Sequence, residues 1–152
     1  DNRTDYIKRL IGLPGDTIQF LNGELFINQV KIKRIPSNKK RIIRCGNFLL
    51  ETNTFIETLP NGVKHFVSYK KEGSLQNTQI YKVPSNHYFL MGDNRDCSKD
   101  SRYLSAVGYV NNLNLVGEAK IIFFSNDTNI SRLLKFWNLN ESFRLKRLFK
   151  IL

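Results

Sequence analysis

Lys8, and the charged, hydroxyl-rich run from Gly92 to Arg102 that contains Ser98, are where this sequence could do chemistry. Lys8 stands in Tyr6-Ile7-Lys8-Arg9-Leu10-Ile11-Gly12-Leu13-Pro14-Gly15-Asp16, a strand-like run closed by a turn signal. A free lysine has a pKa of about 10.4 and is charged at neutral pH. To take a proton from a hydroxyl it has to be desolvated, because burial penalises the ammonium form. Its expected neighbours on one strand face are Tyr6 and Leu10, which would supply that apolar cover. Ser98 lies in Gly92-Asp93-Asn94-Arg95-Asp96-Cys97-Ser98-Lys99-Asp100-Ser101-Arg102, entered from the apolar run Tyr88-Phe89-Leu90-Met91. Asp93, Asp96 and Asp100 alternate there with Arg95, Lys99 and Arg102. Such a block reads as a tight loop stiffened by its own ion pairs and side-chain-to-backbone bonds, able to hold a reactive group in place. A serine–lysine pair is the alternative to the histidine base in acyl transfer.

These two stretches, in this order and on either side of a variable middle, resemble the lysine motif and the Gly-Asp-Asn-Arg-Asp motif of type I signal peptidases, the bacterial leader peptidases. The resemblance implies a serine endopeptidase that removes signal peptides from exported preproteins through an acyl-enzyme. Lys8 takes the place of the general base, and Ser98 would orient its amine. Arg9, Gly92, Asp93, Asn94, Arg95, Asp96, Asp100 and Arg102 would frame the site, with Gly92 letting the backbone pack close. Asp5, Tyr6 and Ile7 would bind the substrate as an added strand, beside small pockets for Ala-like side chains. The family's nucleophilic serine motif precedes the lysine motif and is not found in these residues. Ser98 and Ser101 belong to the supporting loop and are not nucleophiles. The chain is therefore expected to be a C-terminal fragment, inactive alone, without the serine or the N-terminal membrane anchor. The resemblance implies no cofactor. It puts the catalytic domain on the outer, periplasmic face of the inner membrane, with signal peptides and the lipid surface as partners.

The elements that must position these residues read as mainly β, with antiparallel strands and a short C-terminal helical tail. The expected organisation is a catalytic core from residues 1–16 and 86–152, with a smaller β insertion over 17–85. Residues 5–13 read as a strand. Thr17 to Leu21, Asn22-Gly23 and Glu24 to Asn28 read as a two-residue hairpin, since Asn-Gly tolerates positive φ at both central positions. Phe48–Phe55 and Val63–Tyr69 read as strands joined through Pro60-Asn61-Gly62, and Ile80–Val83 as a short one. Ala106–Val110 and Val116–Phe124 read as strands too. Lys31 to Arg44 carries Lys31, Lys33, Arg34, Lys39, Lys40, Arg41 and Arg44 without an acid. It reads as an exposed, poorly ordered loop, with contact to an anionic surface as the alternative. In the tail, Leu145, Leu148, Phe149 and Leu152 follow helical spacing beside basic residues. That segment would lie at a lipid interface or cover a sheet edge.

The 152 residues suffice for one ordinary core with a small appendage. A formal charge of +11 points to an anionic partner, nucleic acid or lipid. Cys45 and Cys97 are too far apart in sequence for a Cys-x-x-Cys site, and two free thiols are expected rather than a lone disulfide. His65 and His87 are isolated, so no metal site is expected. No apolar run approaches 18 residues, the length of a spanning helix. Two other function classes are a serine–lysine autoprotease of the repressor type and a basic β-domain that binds nucleic acid. The Gly-Asp-Asn-Arg-Asp stretch disfavours the first. The basic run over 31–44 contains no aromatic residue for base stacking, which disfavours the second.

Overall fold

A computed structural model describes residues 4–70, 76–122 and 150–151. The chain divides into two compact units, Asp1–Leu115 and Val116–Leu152. In chain order the strands are β1 (Arg9–Gly12), β2 (Thr17–Leu21), β3 (Glu24–Ile27), β4 (Val30–Lys31), β5 (Lys33–Cys45), β6 (Phe48–Thr58), β7 (Lys64–Tyr69), β8 (Tyr81–Lys82), β9 (His87–Met91), β10 (Val110–Asn111), β11 (Ile121–Ile122) and β12 (Lys150–Ile151). Single 3-10 turns span Arg95–Cys97 and Asn112–Asn114. All strand pairings are antiparallel, in sheets ordered β1-β9-β10, β4-β3-β2-β8, β5-β6-β7 and β11-β12. The fold is thus mainly β, as the alternating patterns and turn signals predict.

The apolar core joins the first two of these sheets. Ile11 of β1, Ile18 and Phe20 of β2, Leu25 and Ile27 of β3, and Phe89 and Met91 of β9 are all buried in one cluster. Along β2 and β3 burial alternates, which is what period-two strands with one covered face produce. The β2–β3 hairpin turns at Asn22-Gly23, with φ of 50° and 75°, and sets Phe20 opposite Leu25. Gly12 lets β1 pack tightly, because a Cβ there would lie 2.9 Å from Ile18 Cδ1 and 3.1 Å from Phe89 Cβ.

Several expectations need correcting. Lys31–Arg44 is not a poorly ordered loop: most of it is β5, paired with β6 from Lys33↔Thr58 to Cys45↔Phe48. β5 is one of the two edge strands of its sheet, and exposed lysines and arginines are how edge strands avoid pairing with other chains. The ladder is irregular only between Pro36 and Lys40, where proline has no N–H to donate. The first strand is shorter than 5–13, starting at Arg9. Ala106–Val110 is a turn that reaches strand pairing only at Val110, the 103–108 segment closing on Tyr103 O through the amides of Ala106, Val107 and Gly108. Of Val116–Phe124, only Ile121–Ile122 is strand among the described residues. Cys45 and Cys97 are not free thiols but a disulfide, because the β5–β6 hairpin end and the 95–97 turn bring their Cα atoms to 5.4 Å. The helical tail lies outside the described residues, apart from Lys150–Ile151, which pair as a strand with Ile121–Ile122.

Candidate active site

Lys8 immediately precedes β1, and Gly92 immediately follows β9. Because Arg9 pairs with Met91, the two motifs meet side by side. The Lys8 amine donates a hydrogen bond to Ser98 Oγ at 2.7 Å. Gly92 makes that contact possible: a Cβ there would lie 2.5 Å from Ser98 Cβ and 3.6 Å from Lys8 Nζ. The amine is covered differently from the sequence-based expectation. Tyr6 is 74% exposed and Leu10 is exposed as well, so the strand neighbours give little apolar cover. The groups that close on the amine come from the 92–102 loop. Burial pulls the Lys8 pKa below its ordinary value; the Asp100 carboxylate pushes it back up and the Arg102 guanidinium adds to the lowering.

Three ion pairs hold the loop. Arg9 makes a two-pronged pair with Asp93, Nε to Oδ1 at 2.8 Å and Nη2 to Oδ2 at 2.9 Å, tying the residue after the lysine to the residue after Gly92. Asp100 and Arg102 are buried together, with Arg102 Nε donating to Asp100 Oδ1 at 2.7 Å and Nη2 to Oδ2 at 2.8 Å. Asp100 Oδ2 also accepts from the Gly92 amide at 2.9 Å, and Arg102 Nη2 donates to the Arg95 carbonyl. Burial alone would raise the Asp100 pKa; the bonds and charge of Arg102, with the Gly92 amide and Ser98, hold it below the usual carboxylate value. Ser101 binds Leu90 of β9 twice, accepting from its amide at the hydroxyl and donating from its own amide to its carbonyl.

The third pair leaves the loop. Arg95 is buried against Glu57 of β6, through Nη1 to Oε2 at 2.9 Å and Nη2 to Oε1, and donates to Tyr69 Oη at 2.9 Å. Burial works against the Glu57 charge, but His65 and Arg95 outweigh it and keep the carboxyl below its ordinary pKa. His65 Nε2 stands 3.2 Å from Glu57 Oε1, at ion-pair distance but without hydrogen-bond alignment. Burial lowers and Glu57 raises the Arg95 pKa, with a net upward shift. Asp93 O accepts from Ser68 N at 2.9 Å, and Asn94 bridges Ser68 in parallel. Asn94 O accepts from Cys97 N at 3.1 Å, and Asp96 Oδ2 accepts from the Lys70 amide at 2.7 Å. The Cys45–Cys97 disulfide adds a covalent tie from β5 to the residue before Ser98. Residues 93–97 of the loop are therefore tied one after another to the β5-β6-β7 sheet and its flanks, while Ser98 to Arg102 are held by Lys8, β9 and the loop itself.

Asp5, Tyr6 and Ile7 are exposed and lead into β1, which lies at the edge of its sheet. Among the described residues no three His, Cys, Asp or Glu side chains gather as a metal-ligand set. Sequence reasoning missed Glu57, Tyr69 and the disulfide. Glu57 is one acid in a strand 38 residues from Arg95, and nothing local marks it as that arginine's partner. What the arrangement offers chemically is a lysine with a lowered pKa, its lone pair direction fixed by a hydroxyl that is itself held by a braced loop.

The family model described as "Signal peptidase, peptidase S26" matches residues 1–124. The chain is 40% identical to "Signal peptidase I" of Rickettsia typhi and also of Rickettsia prowazekii, in each case over 172 aligned residues that cover 99% of this chain and 60% of the relative. The chain thus spans about 60% of the length of the curated relatives it matches. A crystal structure of a signal peptidase I from Enterococcus faecalis V583 is similar at 26% identity and a TM-score of 0.39, covering 74% of this chain and 80% of that one. With the family model matched over most of its length, and over both the Lys8 and the Ser98 stretches, this chain belongs to the signal peptidase family, peptidase S26.

Proposed function

We propose that this chain carries the lysine half of a Ser/Lys dyad that removes signal peptides from exported preproteins, with Lys8 as general base. The observation that carries the reading is the 2.7 Å bond from the Lys8 amine to Ser98 Oγ, on a lysine whose pKa burial has lowered. In this mechanism the neutral amine accepts the hydroxyl proton of a nucleophilic serine as its oxygen bonds to the scissile carbonyl carbon. The ammonium then returns the proton to the departing amine nitrogen as the C–N bond breaks. Water then attacks the acyl carbon, giving a proton to Lys8, and the bond from that carbon to the serine oxygen breaks as the ammonium returns the proton to that oxygen, releasing the new C-terminal carboxyl and restoring the neutral amine. Ser98 orients Lys8, and Arg9, Asp93, Arg95, Asp96, Asp100 and Arg102 hold the loop that carries Ser98, with Asn94 and Gly92 shaping its backbone. By the family resemblance Ser98 and Ser101 belong to the supporting loop, and the nucleophile is the serine of the family's serine motif. The substrate adds along the exposed approach to edge strand β1, at Asp5, Tyr6 and Ile7. A disulfide beside the site suits an oxidising compartment such as the outer face of the inner membrane.

The test is processing of a preprotein by the full-length gene product. Lys8→Ala is expected to lower the rate by about 10²–10⁴-fold or more. Lys8→Arg should do the same, because a guanidinium keeps its proton. Full activity in either variant removes Lys8 from the mechanism. Residues 1–152 alone should not process a preprotein. If they do, the nucleophile lies within them and the assignment of the serine is wrong.

A further inference from the structure

Beyond the Cys45–Cys97 tie, the outer end of the β5–β6 hairpin has no role in the mechanism above. Ile42, Phe48 and Leu49 there are 73%, 73% and 68% exposed. Arg44 pairs with Leu49 and Ile42 with Glu51, so these four share one face of the ribbon. Phe48, opposite Cys45, stands beside the Gly46-Asn47 turn on the other face. Lys40, Arg41 and Arg44 lie on the same end of the ribbon, whereas the Lys39 amine lies over the Phe66 ring further in. The one acid between residues 39 and 53 is Glu51, and it is paired with Lys40 at 2.9 Å. An acidic soluble partner would match the cations and leave Phe48, Leu49 and Ile42 unmatched. An anionic lipid surface matches both, taking apolar side chains into the acyl boundary and cations against its phosphates. The end is also preorganised, by an unbroken ladder from Lys40↔Asn53 to Cys45↔Phe48 and by the disulfide, so docking it orders little chain.

We infer that the end of the β5–β6 hairpin is a membrane-docking element: Phe48, Leu49 and Ile42 enter the boundary of an anionic bilayer, and Arg41 and Arg44 contact its phosphates. This does not rest on the peptidase reading. Its link to the site is covalent, since Cys45 of the docked end is bonded to Cys97, next to Ser98.

The experiment is co-sedimentation of the 152-residue chain with phosphatidylcholine vesicles, with and without phosphatidylglycerol. Thiol titration and circular dichroism accompany each variant, to show that the disulfide and fold are kept. Binding should require phosphatidylglycerol and weaken with salt. Phe48→Ser with Leu49→Ser should lower the partition coefficient by about tenfold or more. Leu49→Ser alone, at an exposed site, should give an intermediate loss. Arg41→Gln with Arg44→Gln should cost about fivefold per charge. Val30→Ser, at a residue 64% exposed on β4, should change nothing. Folded hairpin variants that bind like the parent chain overturn the inference, as does a parent chain that ignores anionic vesicles. Binding to nucleic acid in place of vesicles, lost with Arg41 and Arg44 but kept with Phe48→Ser, would make this a nucleic-acid surface instead.

Discussion

At Lys8, burial and the Arg102 charge lower the pKa while Asp100 raises it, with burial the largest cause. The neutral amine that a base needs therefore gains population as pH climbs through this lowered pKa. The rate limb assigned to the base should lie below 10.5, the ordinary lysine value, and Asp100→Asn should move it lower still by removing the opposing charge. The pH–rate profile of the full-length gene product measures both. The same shift has a stability sign. Between the folded pKa and that of the unfolded chain, the unfolded state holds more protons on Lys8, so this lysine makes stability rise with pH there. Lys8→Met should raise the melting temperature at pH values below the folded pKa and abolish that rise. Gly92 is the second sensitive position. Gly92→Ala drives a methyl into Ser98 and should lower the processing rate by about 10²-fold, a typical result of misplacing a reacting group by an ångström. Circular dichroism should show the fold retained. Lys8, Gly92 and Ser98 were legible because motif residues announce themselves by type. Their environment was not: a period-two strand gave Tyr6 and Leu10 as the cover, whereas both are exposed and the amine bonds to Ser98, 90 residues away.

Among the elements, those built from neighbouring residues were readable. The Asn22-Gly23 hairpin is fixed by turn chemistry within a few residues, and its register came out as expected. β5 was not readable, because its cations hide any apolar period and its order comes from the ladder to β6. The Arg95–Glu57 pair is likewise a property of the assembled sheet and loop. It is also the element contact with the largest expected effect. Each partner is 1% exposed, so Glu57→Ala leaves a buried guanidinium without its carboxylate, at a cost of about 3–5 kcal/mol. Chemical denaturation measures that loss. Acid gives a second reading of the same pair. Glu57 titrates below its ordinary 4.5 when folded, so its contribution is complete above about that pH and is lost as pH falls through the lowered folded value. In Glu57→Gln the part of the acid dependence due to this carboxyl should vanish.

Across the Asp1–Leu115 unit, the Cys45–Cys97 bond joins two points 52 residues apart. Closing a loop of that length in the unfolded chain is worth about 4 kcal/mol in the chain-entropy picture. Cys45→Ser with Cys97→Ser, or a dithiol reductant, should lower the melting temperature by several degrees while leaving the β content intact by circular dichroism. The spacing carries no hint of this pairing. It exists because a long ribbon turns back at Gly46-Asn47 and presents Cys45 to the loop, a meeting that only the finished topology arranges. The same bond bears on how the protein matures. Within these 152 residues there are two cysteines, so oxidation has one intramolecular product and no scrambled isomer to escape from. Errors can only be intermolecular. A preparation oxidised at high dilution should run as a single monomer band on a non-reducing gel, and the same chain oxidised while crowded should yield covalent dimers, with no need for a disulfide isomerase to sort one from the other.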